Sequence, residues 1–165
     1  MNKFTYLMLL PLVLGQDLSV SRNGGRASIR FSSIRDSKSY EFHTTPKTFE
    51  DARKICKQHG GDLAIITSQD EEHKLLDLWS NSGPILNPSH GLDKQVFIGV
   101  NNLQDVDRWE TIKGEPLPYD NWSSWWANGR QPSRPKEQRC GSLLRQGGMD
   151  DVECYLKLGF ICESS

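Results

Sequence analysis

The sequence holds 165 residues, with 20 Lys and Arg against 21 Asp and Glu, a formal net charge of −1. So nearly neutral a chain has no global field with which to recruit nucleic acid or a membrane surface. Its length suits one domain with its own core and is too short for two of ordinary size.

In chain order, residues 1–15 combine a short basic start, an apolar run over 4–14, and Val13 and Gly15 before Gln16. That layout reads as a secretory signal peptide, with an apolar run too short to span a bilayer. No later segment nears the roughly 18 apolar residues that a transmembrane helix needs, so the mature chain is expected to be secreted and extracellular. Residues 16–38 are polar, include Asn23-Gly24-Gly25, and read as a flexible leader with one strand at 27–31. Strand character appears near 39–43. Thr48-Phe49-Glu50-Asp51 then fits a capping box, and Phe49, Ala52, Ile55 and Cys56 follow on one helical face. Gly60-Gly61 ends that helix, and 63–66 is a short strand. Ser68-Gln69-Asp70-Glu71 is a second capping box, opening a helix through about Trp79, with Asp70, Glu71 and Glu72 at the positive end of its dipole.

Residues 80–94 form a loop. Beyond Gln95 the pattern changes to short apolar strands, best at 96–100, 108–111, 142–144 and 158–162. The stretch 114–148 shows almost no regular signal, yet it carries Tyr119, Trp122, Trp125 and Trp126. A long loop rich in tryptophan is more often a binding surface than a linker.

The four cysteines are Cys56, Cys140, Cys154 and Cys162. An even number in a secreted chain reads as a disulfide framework with three possible connectivities. No CxxC or paired His-Cys spacing supports a zinc site instead. Catalysis is not expected, because the chain lacks a GxSxG elbow, an HExxH pair and a glycine-rich phosphate loop. Its histidines are scattered, His43 near a strand, His59 and His73 on helices, and His90 in a loop.

One family accounts for the order of these pieces. Phe97-Ile98-Gly99-Val100, Arg108-Trp109, the run from Gly114 to Trp122, Gln131-Pro132-Ser133, Cys140, Met149-Asp150-Asp151, Cys154 and Gly159-Phe160-Ile161-Cys162-Glu163 together resemble the C-type lectin domain. The likeness covers roughly residues 39–163, placing the domain at 39–165. It implies an α+β C-type lectin-like fold, with two helices flanking short antiparallel sheets and a long ligand-binding loop. It also implies the bridges Cys56–Cys162 and Cys140–Cys154, in a short form without the extra N-terminal pair. Tyr40-Glu41-Phe42-His43 and the residues after it are similar to the domain opening of arthropod haemolymph lectins.

In sugar-binding members, a Glu-Pro-Asn or Gln-Pro-Asp triplet, a Glu before the cysteine matching Cys140 and a Trp-Asn-Asp triplet hold one calcium ion, whose shell sugar hydroxyls complete. Carried over by position, the ligands are Gln131, Ser133, Gln138, Asp150 and Asp151. Pro132 matches the proline whose cis bond turns its two neighbours toward the ion. Ser133 stands for Asn or Asp, and Gln138 for Glu, so the metal set reduces to Gln131, Gln138, Asp150 and Asp151, a degraded calcium site. Asn102, Val106 and Arg134 fall where a second calcium site needs acids. The Gln131-Pro132 pair leans toward the galactose-type triplet without completing it.

Basic residues, Arg130, Arg134, Lys136, Arg139 and Arg145, gather in the same stretch. Guanidinium forks grip phosphate or carboxylate, so this loop reads either as an anion site or as a solvated basic surface. Trp122 matches the family's packed tryptophan, while of Trp125 and Trp126 one is expected to be buried. Asn121-Trp122-Ser123 is an N-glycosylation sequon. Two binding functions follow. One is a secreted lectin for microbial or other extracellular glycans such as lipopolysaccharide. The other is a calcium-independent module for a protein partner.

Overall fold

The computed structural model describes residues 16–23, 26–33, 36–125 and 129–165, with side chains from Lys38 onward among these. The signal-peptide reading at residues 1–15 and Trp126 lie outside the described residues.

The strands are β1 (Gln16–Asn23), β2 (Arg26–Ser33), β3 (Asp36–Lys47), β4 (Asp62–Leu63), β5 (Gln95–Asn101), β6 (Glu110–Thr111), β7 (Cys140–Leu144), β8 (Met149–Val152) and β9 (Leu158–Ser164). They join in the order β1-β2-β3-β9-β5-β7-β8, with β4 against β9 and β6 against β5. Two helices, α1 (Phe49–Gln58) and α2 (Gln69–Asn81), complete the α+β architecture. All pairings are antiparallel except β5 with β9, which run parallel through Val96↔Gly159 and Phe97↔Phe160. Two strands occupy 16–33, one of them containing the expected 27–31, and the first pairs with the second from Gln16↔Ser33 to Asn23↔Arg26.

Local signals set both helices. Thr48 caps α1, its Oγ1 accepting the Asp51 amide at 3.3 Å, and Ser68 caps α2 by accepting the Glu71 amide at 3.2 Å. Each cap satisfies an amide that the helix itself cannot. Gly60 follows α1 at φ +83°, and a Cβ on Gly61 would lie 1.8 Å from the Glu163 carbonyl oxygen. The second of these glycines is therefore a close-approach position rather than a cap. The strand expected at 63–66 is shorter, because Ile65 gives its amide to the Glu163 side chain at 3.1 Å instead of to a ladder.

The sheet is covered on both faces. Alternate residues of a strand point to opposite sides. Accordingly Val96, Ile98 and Val100 of β5 join Leu75, Leu78 and Trp79 of α2 in one buried cluster, while Phe97 joins Phe49, Ala52 and Cys56 of α1 in another. This double cover explains why β5 reads as an unbroken apolar run, all seven residues being buried. Truncating a residue such as Phe97 would cost about 3–5 kcal/mol through lost burial and the cavity left behind. Two disulfides staple the layers, as the family likeness implies. Cys56–Cys162 ties α1 to β9 across 106 residues, and Cys140–Cys154 ties β7 to the segment after β8 across 14. Each contributes about 2–4 kcal/mol by restricting the unfolded chain.

Candidate functional site

Between β6 and β7 the chain makes its long excursion, and a few contacts fix the path. Trp122 packs edge-on against Trp109, ring centroids 4.9 Å apart, beside the α2 cluster. Asn121 and Ser123 exchange backbone hydrogen bonds with Met149 at 2.7 and 2.9 Å, so the loop is zipped to β8. Glu72 of α2 completes the anchor, accepting from the Asn121 side chain and from the Gly148 amide at 3.0 and 2.8 Å. Tyr119 also bonds to Glu72. Its burial and this carboxylate push its phenol up to about 12. Sequence reasoning gave Glu72 only a helix-dipole role, but its side chain is buried and serves as the acceptor for the loop.

From that anchor the loop returns through a cis Gln131–Pro132 bond. Asp151 meets it. One carboxylate oxygen accepts the Ser133 amide at 2.9 Å, and the other accepts the Arg134 amide at 2.6 Å. Asp151 is 2% exposed, so these charge-assisted bonds form out of bulk water, where they are strongest. Gln131 is buried too, and its Oε1 has no hydrogen-bond partner among the described residues.

The outcome is an open pocket of about 290 Å³ that gathers six of the eight residues singled out from sequence: Gln131, Ser133, Arg134, Gln138, Asp150 and Asp151. Glu153 lines it as well and accepts from Gln138 Nε2 at 3.2 Å. This carboxylate was missed, although an acid two residues beyond Asp151 was a visible signal. It restores a negative charge close to where Gln138 replaces the family's Glu.

The five basic residues do not all gather at the pocket. Arg139 points back into the fold and donates to the Asn102 carbonyl at 2.7 Å. Arg145 lies over the Trp79 ring, 5.2 Å from its centroid. Lys136 and Arg130 are exposed and do not line the pocket, which leaves Arg134 as its one lining cation among the described residues. Nearby, the Asn102 side-chain amide donates to the Val106 and Pro135 carbonyls at 2.8 and 2.9 Å. A neutral amide thus joins the two loops where a second calcium site would need acids. Trp125 is 71% exposed.

The pocket's donors suit a hard cation in kind, being oxygens with the unpartnered Gln131 Oε1 among them. Their free coordinating capacity is low, because both Asp151 oxygens already accept amides. The set fits a weakly held Ca²⁺ ion.

The Lectin C-type domain family model matches residues 45–164. Among characterised proteins, the chain is 36% identical over 124 residues to a hemolymph lipopolysaccharide-binding protein of Periplaneta americana, covering 75% of this chain and 48% of that one. It is 29% identical over 160 residues to collectin-10 of Mus musculus, covering 92% of this chain and 52% of that protein. The chain therefore spans about half the length of these relatives. Among solved structures, the mouse scavenger receptor C-type lectin carbohydrate-recognition domain superposes with a TM-score of 0.65 at 24% identity, over 79% of this chain and 90% of that one. Human lithostathine gives 0.65 at 25% identity, over 79% and 93%. With the helices, the two bridges and the Gln131 pocket in place, the chain belongs to the C-type lectin domain family, whose members are non-enzymatic binding modules.

Proposed function

We propose that this chain is a secreted recognition lectin that binds microbial or other extracellular glycans at the Gln131–Asp151 pocket. It favours anionic glycans and depends on calcium weakly or not at all. The observation that carries this reading is the grip of Asp151 on the Ser133 and Arg134 amides. These protein hydrogen bonds fix the Ser133–Arg134 turn of the binding loop, which supports a shape that does not depend on an ion. Arg134 on the pocket, with Arg130 and Lys136 exposed on the same loop, offers forks and point charges to phosphate or carboxylate groups. The relative named for lipopolysaccharide binding supports the anionic preference.

When bound, Ca²⁺ would be held by Gln131, Gln138, Asp150 and Asp151 and would offer open coordination positions to sugar hydroxyls. The chain's own groups do the rest. Gln131 Oε1 and the Ser133 hydroxyl can bond sugar hydroxyls directly, and Arg134 can hold an acidic substituent.

The test is binding of the purified domain to immobilised lipopolysaccharide and to neutral sugars, with and without EDTA and across salt concentrations. Binding to lipopolysaccharide should survive EDTA, fall as salt screens the exposed cations, and be lost in Asp151→Ala. Binding to no glycan, together with saturable capture of a defined protein partner, would replace this reading with the protein-binding one. The 71% exposure of Trp125 gives that outcome an anchor residue.

A further inference from the structure

Sequence separates His43 from His59, one on a strand and one at a helix end, and the fold brings them together. Glu41 and His43 lie two apart on β3 and so leave the same side of the strand. His59 is the C-terminal cap of α1. Its Nδ1 lies 3.1 Å from Glu41 Oε2, and His43 Nε2 lies 3.9 Å from the same oxygen. One ligand atom from each of the three falls within 4.8 Å of the other two.

We propose that Glu41, His43 and His59 form a binding site for a borderline divalent transition-metal ion such as Zn²⁺, which clamps the end of α1 to β3. Two imidazoles and a carboxylate are a donor set that such ions prefer and that Ca²⁺ does not. Bonds of about 2.1 Å in tetrahedral geometry place ligand atoms about 3.4 Å apart. The two measured separations from Glu41 Oε2, 3.1 and 3.9 Å, lie on either side of that spacing. Both imidazoles lie within ion-pair distance of the same Glu41 oxygen, so two metal-binding nitrogens already face one carboxylate oxygen.

The site is also held in place. The His43 ring stacks on Phe160 at 4.3 Å with an interplanar angle of 4°, which fixes its orientation. Its neighbour His59 is 5.5 Å away ring to ring. A cavity of about 30 Å³, lined by Glu41, His59, Cys56 and Cys162 among others, adjoins the cluster. An ion here would tie α1 to β3 beside the α1–β9 joint that the Cys56–Cys162 bridge closes. His59 is 42% exposed, leaving a solvent-side position for water as the fourth ligand. This inference is independent of the glycan-binding reading.

The experiment titrates the metal-free, disulfide-bonded domain with Zn²⁺ by calorimetry and with Co²⁺ by visible absorption. One ion per chain, d–d bands of low-coordinate Co²⁺ and a saturable rise in Tm are expected. Because His59 is largely at the surface, His59→Ala keeps the fold, and it should weaken binding tenfold or more. Glu41→Gln should do the same, and His90→Ala should change nothing. Absence of heat and of cobalt bands at millimolar metal would overturn the proposal. So would unchanged affinity in either His59→Ala or Glu41→Gln.

Discussion

The Glu72 carboxylate of α2 accepts a hydrogen bond from the Asn121 side chain at 3.0 Å, so a core helix holds the middle of the long loop. Its other oxygen takes the Gly148 amide at 2.8 Å, on the turn that leads into β8 and the site aspartates. A single buried side chain thus ties the loop to the turn that precedes β8. Glu72→Ala removes these bonds and leaves a buried amide without an acceptor. The expected cost is on the order of 3 kcal/mol, read from urea unfolding, with faster amide exchange over residues 119–123 and 148–150. A loss below about 1 kcal/mol would mean that the Trp122 packing alone holds the loop.

The same bond decides the fate of the sequon. Asn121 Nδ2, the atom a glycan would occupy, already donates to Glu72, and Ser123 is 4% exposed. A glycan there would break the anchor. Protein secreted from a eukaryotic host should therefore carry an unmodified Asn121, as peptide mass spectrometry would show. A fully glycosylated and stable product would contradict the anchoring role.

What the sequence disclosed followed the range of the interactions. The caps at Thr48 and Ser68 are set within four residues of chain, so they were legible, as was the continuous apolar run of β5. Strand β8 was not. Asp150 and Asp151 oppose strand propensity, and only their pairing to β7, through Gly141↔Asp151 and Ser142↔Asp150, makes them one. Glu72 read only as a first-turn acid because its partners, Asn121 and Gly148, come from distant segments. Similarly, Arg139 and Arg145 counted as loop cations until their partners, Asn102 and Trp79, came into view from distant segments. The ligand set itself came from matched positions and not from periodicity, and Glu153 escaped because the matched motif does not include it.

Asp151 is expected to matter through geometry as much as through charge. In Asp151→Asn only one side-chain oxygen remains, and the new NH₂ group faces an amide donor, so either Ser133 or Arg134 loses its acceptor. Stability should fall by about 1–3 kcal/mol, and lipopolysaccharide binding should drop at least tenfold even in EDTA. By contrast, Ser133→Ala alters an exposed hydroxyl and should change stability by less than about 0.5 kcal/mol. Paired urea titrations and surface-binding assays separate the two. Equal effects of both variants would indicate that the hydroxyl, and not the Asp151 carboxylate, organises the loop.

Acid sensitivity should trace to Glu71. Burial opposes its ionisation, yet the Thr67 hydroxyl and amide, the Tyr40 hydroxyl and Lys38 together outweigh that and hold its carboxyl below the ordinary 4.5. The Thr67 contacts are 2.5 and 2.6 Å and the Lys38 contact 3.1 Å. A carboxyl with a lower pKa folded than unfolded binds its proton more tightly in the unfolded chain. Its contribution is therefore fully present above the unfolded value and is lost as pH falls through the folded one. Lys38 behaves in the opposite sense. Burial lowers its affinity for a proton, but Glu163 and Glu71 raise it more, so its contribution holds below 10.5 and fades at higher pH. The stability difference between the wild type and Glu71→Gln should accordingly be greatest on a plateau around neutral pH. It should shrink below about pH 4.5 as the wild-type carboxyl takes up its proton. Urea midpoints of both proteins across acid and neutral pH give that difference directly. A difference that stays constant into acid would mean that the network stabilises Glu71 equally in its protonated form, and the acid transition would then have to originate elsewhere.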